Sequence, residues 1–293
     1  MPKKRKRRFG DRHDARKIRT LPPMQYVAVS IMHTRNDAQN LFTASVDFEN
    51  VEEYIRQKRE SGLPGFGFMH LLIAAYVRTV SQKPAINRYI AGYKIFARHD
   101  IILSMMVKKE MKLNAQETAI KVFFSPADTA EDVYRKMEEE IEKARQAGDT
   151  TALDKVARII NRMPKLILRW FVAFMQFLDF FGKLPKAIEA ASPFHSSIYV
   201  SNLGSLGIPP IYHHLYNFGN TPVFITFGAK RRELCLNPEG GVYHKTMVDY
   251  TVVTDERITD GHYLATAFKG MEKLLHNPQK LDVPPETVVD DIP

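Results

Sequence analysis

Cysteine is almost missing from this chain: Cys235 is the single one. That excludes an internal disulfide and a cysteine-rich metal centre, and it suits a reducing compartment. No run of eighteen apolar residues occurs, so no membrane-spanning helix is expected, and the N-terminus lacks the apolar core of a signal peptide. The expected location is the cytoplasm. Familiar site motifs are scarce as well. Gly204-Ser205-Leu206-Gly207 lacks the lysine of a phosphate-binding loop and does not follow the dinucleotide pattern; neither a G-x-S-x-G elbow nor an H-E-x-x-H pair occurs. His213-His214 has no acidic or histidine partner at helical spacing, so it reads as a surface or packing pair, and no metal site is expected.

Acidic residues are few only at the start of the chain. The net charge of +9 is concentrated in the first 20 residues, which hold ten Lys/Arg against Asp11 and Asp14, and the remainder is close to neutral. No basic face on a fold is indicated, which argues against a specific nucleic-acid partner. Lys3-Lys4-Arg5-Lys6-Arg7-Arg8 has the look of a basic import signal, but a solvated tail is the plainer reading. Residues 1–23 are therefore expected to form a basic disordered tail, and 282–293 an acidic, proline-containing C-terminal tail.

With 293 residues and 44% hydrophobic content, the chain can bury a sizeable core in one large domain or two modest ones. Strict alternation over 41–48 marks a half-buried strand, and 93–96, 101–107 and 118–124 read as further strands. Asn50 is a candidate cap for a helix over 51–60. The nearly all-apolar 68–80 predicts a helix buried on most sides and ended at Pro84. Thr129 or Asp128 would cap a charged helix over 130–147. Residues 223–234 and 242–253 flank a Gly-Gly turn and read as a hairpin.

Helical patterning runs through 150–191, and its middle, 166–181, is the most apolar stretch, carrying a narrow polar stripe. It is too short and too marked by charge to span a bilayer. Burial against the same or another subunit is expected there, with a membrane-surface helix or a lid over a site as the alternatives.

Two turns carry candidate chemistry. Ser201-Asn202-Leu203-Gly204-Ser205-Leu206-Gly207 follows the strand-like 196–200, and Asp255-Glu256-Arg257-Ile258-Thr259-Asp260-Gly261 stands between a strand and the last helix, which Asp260 can cap. Together with Phe68–Ala75 and Pro84-Ala85-Ile86-Asn87 upstream, these segments resemble the catalytic domain of the 2-oxo acid dehydrogenase acyltransferases (dihydrolipoamide acyltransferases). That family carries S-N-L-G-x-x-G and then D-H-R-x-x-D-G before a helix. The likeness spans roughly 24–147 and 193–281, so a catalytic domain is expected over 24–281, with 150–191 as an apolar helical insertion.

The resemblance implies an α+β fold: a chloramphenicol acetyltransferase-like two-layer sandwich, a mixed β-sheet with helices packed on it. It further implies acyl transfer between coenzyme A, as a substrate, and a thiol or other acceptor, in a homotrimer or a higher assembly of trimers. The active sites then lie in channels between subunits, the serine of one chain facing the histidine of its neighbour. On that pattern Ser201, Glu256 and Asp260 fall at catalytic positions, and Asn202 and Arg257 at cofactor-binding ones. No lipoyl domain precedes the fold in this sequence, so no lipoyl attachment is expected in this chain.

Glu256 departs from the family, because a histidine stands there as general base. A glutamate's reference pKa near ~4.3 lies about four units below a thiol's ~8.5, so it is a poor thiol base unless it is buried. Three readings follow: a desolvated Glu256 that works, a substitute such as His262, or a catalytically impaired homologue serving as trimeric scaffold or ligand-binding protein.

Overall fold

The computed structural model describes residues 7–108, 117–146 and 162–293. Among the described residues, alternating and apolar runs supply nine strands: β1 (Ala15–Lys17), β2 (Gln39–Asp47), β3 (Arg88–Ala91), β4 (Lys94–Arg98), β5 (Ile101–Lys108), β6 (Glu117–Phe124), β7 (Ile198–Asn202), β8 (Val223–Leu236) and β9 (Val242–Asp255). Seven α-helices are found among the described residues: α1 (Pro23–Ile31), α2 (Phe48–Glu60), α3 (Phe68–Gln82), α4 (Ala130–Gln146), α5 (Lys165–Phe180), α6 (Lys186–Ala191) and α7 (Gly261–His276).

Six strands form a mixed sheet in the order β2-β9-β8-β7-β5-β6, in which β7 runs parallel to both neighbours and the other pairs are antiparallel. Period-2 alternation sends Ile198 and Val200 of β7 to one face, where they join Val223, Ile225 and Val252. Helices α2, α3, α4 and α7 cover that face with Tyr54, Leu71, Val133, Met137, Leu264 and Met271, making the second layer of an α+β sandwich. Helix α3 is the centre of it: from Phe68 to Ser81 only Met69 is not buried. Each aliphatic side chain so enclosed stabilises the fold by about 1.5–3 kcal/mol relative to exposure. On the opposite face Tyr199, Leu215, Phe224 and Val253 make a smaller cluster.

Capping follows local side chains. Asp260 accepts from Tyr263 N at 2.8 Å and starts α7, as expected. Thr129, not Asp128, caps α4: its hydroxyl accepts from Asp132 N, and Asp132 accepts in return from Thr129 N. Helix α2 begins earlier than an Asn50 cap would allow. Asp47 accepts from Glu49 N at 3.2 Å, and burial of Phe48 draws the first turn onto the core.

Neither end of the chain is a free tail in its described part, which corrects the expectation for 1–23 and 282–293. Strand β1 pairs with β4 in a second, three-stranded sheet ordered β1-β4-β3, and Ile18 and Leu21 are buried beneath it. Arg88 grips Asp291 with two donors at 2.7 and 2.5 Å, and Val289 N donates to Ser81 O. Apolar anchors and buried ion pairs outweigh the polar composition that reads as disorder. The basic run up to Lys6 lies outside the described residues.

Of the segment read as an insertion, the described part holds α5 and α6 joined by a non-helical turn; residues 150–161 lie outside the description. Within the chain α5 buries Met175 alone and leaves most of its apolar side chains exposed.

Candidate functional site

The two motif turns fall at opposite ends of the sheet. Ser201 pairs with Thr226 of β8, and Thr226 with Thr251 of β9, four residues before Asp255. At strand geometry this sets Ser201 about 13 Å from Asp255 along the strands and about 10 Å across them. Glu256 lies one residue further out. A single chain therefore does not bring Ser201 and Glu256 together.

At the first end β7 stops in a short 3-10 turn, Gly204–Leu206, and Gly207 takes a left-handed conformation with φ of 72°. Asn202 Oδ1 accepts from Ser205 N at 3.1 Å, which holds the turn against the strand end. A Cβ at Gly204 would stand 2.6 Å from Gly228 O, so this crossing of two backbones demands glycine. Asn202 shares the helix-side face with Val200. With Gly204 and Ser205 it lines a cleft of about 760 Å³ whose other walls include Arg56, Arg59, the α3 N-terminus and Lys230. Half-buried Ser201 points to the opposite face, with Tyr199. There the segment after Gly207 lies over the strands: Thr251 donates to Ile211 O, and the His213 ring stacks on Phe224 at 4.5 Å. Burial, with some help from His214, lowers the His213 pKa. The His214 ring packs edge-on against Tyr216. Both histidines therefore have packing contacts.

At the second end a buried ion cluster holds the turn. Asp255, 1% exposed, accepts from Arg257 N, Nε and Nη2 at 3.2, 2.8 and 2.7 Å, while Arg257 Nη1 reaches Met32 O at 2.8 Å. Arg35 Nε lies 3.8 Å from Asp255, and Arg35 Nη2 donates to Ile90 O at 2.8 Å. Burial draws the Arg35 pKa down to about 10, with Asp255 opposing. The knot fixes the backbone on both sides of Glu256 and turns that side chain outward, where it is exposed. Burial that would make a glutamate a usable thiol base is therefore not supplied within the chain. His262, on the first turn of α7, is exposed too.

Arg35 has no counterpart in the sequence reading. Its signal is weak, one arginine in a polar turn, and its partner Asp255 lies far along the chain. A second cavity, of about 230 Å³, opens beside this knot, between Arg35, Arg257 and Asn217 on one side and Gln176, Asp179 and Phe180 of α5 on the other. The C-terminal end of α5 thus forms a wall over the second half-site. It is pinned there by Asp179, which accepts from Arg12 at 2.9 Å and lies 3.7 Å from His195 Nε2. Burial raises the Asp179 carboxyl, but His195 and Arg12 outweigh it and the net pKa is lowered.

Among the described residues one group has metal-ligand spacing: His13, Asp14 and Glu189, whose ligand atoms lie within 4.8 Å of one another. Asp14 already accepts from Tyr89 and Arg98, and Lys121 donates to Glu189 O. These cations supply the positive charge that an ion would bring, so the group reads as an ion-pair network.

No protein-family model matches the sequence, and no curated protein does. Solved structures do match. The dihydrolipoamide acetyltransferase of Azotobacter vinelandii, studied for the catalytic roles of a serine, a histidine and an asparagine, superposes with a TM-score of 0.58 at 12% identity, over 90% of this chain and 94% of that one. A probable dihydrolipoamide acetyltransferase from Listeria monocytogenes gives 0.57 at 14% identity, over 89% and 95%. A chloramphenicol acetyltransferase gives 0.51 at 14% identity, over 89% and 99%. The chain thus has the chloramphenicol acetyltransferase-like fold that 2-oxo acid dehydrogenase acyltransferases share.

Proposed function

We propose that this protein transfers an acyl group between coenzyme A and a thiol or other acceptor, at a site completed by two subunits of a homotrimer or of an assembly of trimers. The observation that carries this reading is the placement of the two motif turns. Each is rigidly held, one by the Gly204–Gly228 crossing and the other by the Asp255–Arg257–Arg35 knot, yet they stand at opposite ends of one sheet. Such halves can meet only across a subunit boundary.

In this reaction the acceptor sulfur attacks the thioester carbonyl, its proton passes to a base, and a tetrahedral oxyanion forms. Collapse breaks the carbonyl–sulfur bond of coenzyme A, whose sulfur takes up the proton. Ser201 would donate its hydroxyl to the oxyanion, a contribution worth about 10²–10³ in rate when a single such donor is lost. Arg56, Arg59 and Lys230 along the larger cleft suit the phosphates of coenzyme A, with Glu52 the resting partner of Lys230 and Glu53 that of Arg56. Asp260 acts on architecture, through the α7 cap.

Exposed Glu256 favours a second reading, in which the fold binds its ligand without turning it over. General-base assistance is worth about 10²–10⁴, so its loss alone can silence the reaction. One experiment separates the two. The purified chain is assayed with acetyl-coenzyme A and dihydrolipoamide, alongside Ser201→Ala and Glu256→His. Turnover that Ser201→Ala abolishes supports the transferase. An inert wild type with an active Glu256→His supports the scaffold, and inertness of every form with no coenzyme A binding rejects both.

A further inference from the structure

Helix α5 turns a row of large apolar side chains away from the fold. Ile167, Trp170, Phe174, Phe177 and Phe181 recur at three and four residues, which places them along one side, and their exposures are 55, 72, 54, 59 and 59%. The inward side carries half-buried Leu168, Phe171 and Leu178 with buried Met175. Asp179 locks that side down through Arg12 and His195, and the Phe180 carbonyl sits so close to Gly92 that a Cβ there would stand 2.5 Å from it. The orientation of the outward row is therefore fixed by the fold.

Charge on this helix and the segments beside it has one sign towards solvent. Arg162, Lys165, Arg169, Lys183 and Lys186 are all exposed, whereas the single acid of α5, Asp179, faces inward. No helix among the described residues is long and apolar enough to cross a membrane. An aromatic-rich row flanked by long cationic side chains is the composition of a helix that lies in a lipid interface, with the cations reaching up to the phosphates.

We propose that α5 docks this protein onto an anionic lipid surface, its Ile167–Phe181 row entering the boundary between headgroups and acyl chains and Lys165, Arg169 and Lys183 meeting lipid phosphates. Cations alone at the rim favour lipid over a second copy of the helix, which would bring like charges together. The proposal stands apart from the catalytic reading and uses none of its residues.

Trp170 is the chain's single tryptophan, so its fluorescence reports on this face alone. The full-length protein is mixed with vesicles of phosphatidylcholine, with or without about a quarter phosphatidylglycerol, and assayed by flotation and Trp170 emission. Expected are flotation with the anionic vesicles, a blue shift of emission, and weakening by salt. Lys165→Gln with Arg169→Gln should lower partitioning onto anionic vesicles about twenty-fivefold, at roughly fivefold per cation. Trp170→Ser with Phe174→Ser should abolish flotation with an unchanged circular dichroism spectrum; should that pair fail to fold, the exposed Lys165/Arg169 pair decides. No flotation, or equal flotation of the Lys165/Arg169 variant, overturns the proposal. So does emission that is already blue without lipid and moves red on dilution, because a second copy would then cover the face.

Discussion

Asp255 gathers three donors from Arg257 and the charge of Arg35 in a site with almost no water. Asp255→Asn leaves two guanidinium groups without their counter-charge. It is expected to cost about 3–5 kcal/mol in urea unfolding, the range for breaking a buried pair from one side. Ser201→Ala, by contrast, should leave the urea midpoint nearly unchanged and lower any acyl-transfer kcat by about 10²–10³. Half of this chemistry is legible in the sequence. Arg257 is buried against Asp255, a pairing that its motif does not announce, whereas Asp260 before Gly261 and a helical run is readable as a cap because that bond is local. Arg35 is not legible, since its partner is brought in by the β2–β9 pairing rather than by any local pattern. The exposure of Glu256 is equally hidden, being set by the ion pairs of the residues on either side.

At the scale of elements, the strands and α3 follow directly from their apolar spacing, because burial of that spacing is what forms them. The ends of the chain and α5 do not. Three residues of β1 make a strand only because β4 presents an open edge, and α5 keeps its apolar row exposed because only its inner side meets the fold. Docking of α5 rests on Asp179, so Asp179→Asn should speed limited proteolysis between residues 162 and 186 while the unfolding midpoint moves little. The same contact makes an acid-sensitive joint. Burial lowers the His195 pKa, so the folded state holds a neutral ring while the unfolded chain takes up a proton near its ordinary value of 6.5. Stability is therefore lost as pH falls below about 6.5. His195→Gln should flatten that slope in a urea midpoint-against-pH series.

For the whole molecule the alkaline side carries the same sign. Burial, reinforced by Arg98, pulls Lys121 down to about 8. Below that pH both folded and unfolded chains carry its proton and the cost of burying the charge is complete. Between about 8 and the ordinary 10.5 the folded state gives the proton up first, so stability rises with pH across that window. Lys121→Met should remove the rise. The global architecture was the most legible property of all, because four separated motifs in a fixed order constrain a fold more tightly than any one of them constrains a reaction. What one chain contributes to the reaction is a different matter, given that Ser201 and Glu256 sit at opposite ends of β7 and β9. Under the proposed transferase, with Glu256 as the base of the neighbouring subunit, two defective alleles, Ser201→Ala and Glu256→Ala, should then rescue one another. In the proposed trimer, mixing the two would create a boundary that joins the intact serine of the second to the intact glutamate of the first. Activity in a co-refolded mixture of two silent proteins would be the signature of a protein whose working unit is the seam between its copies.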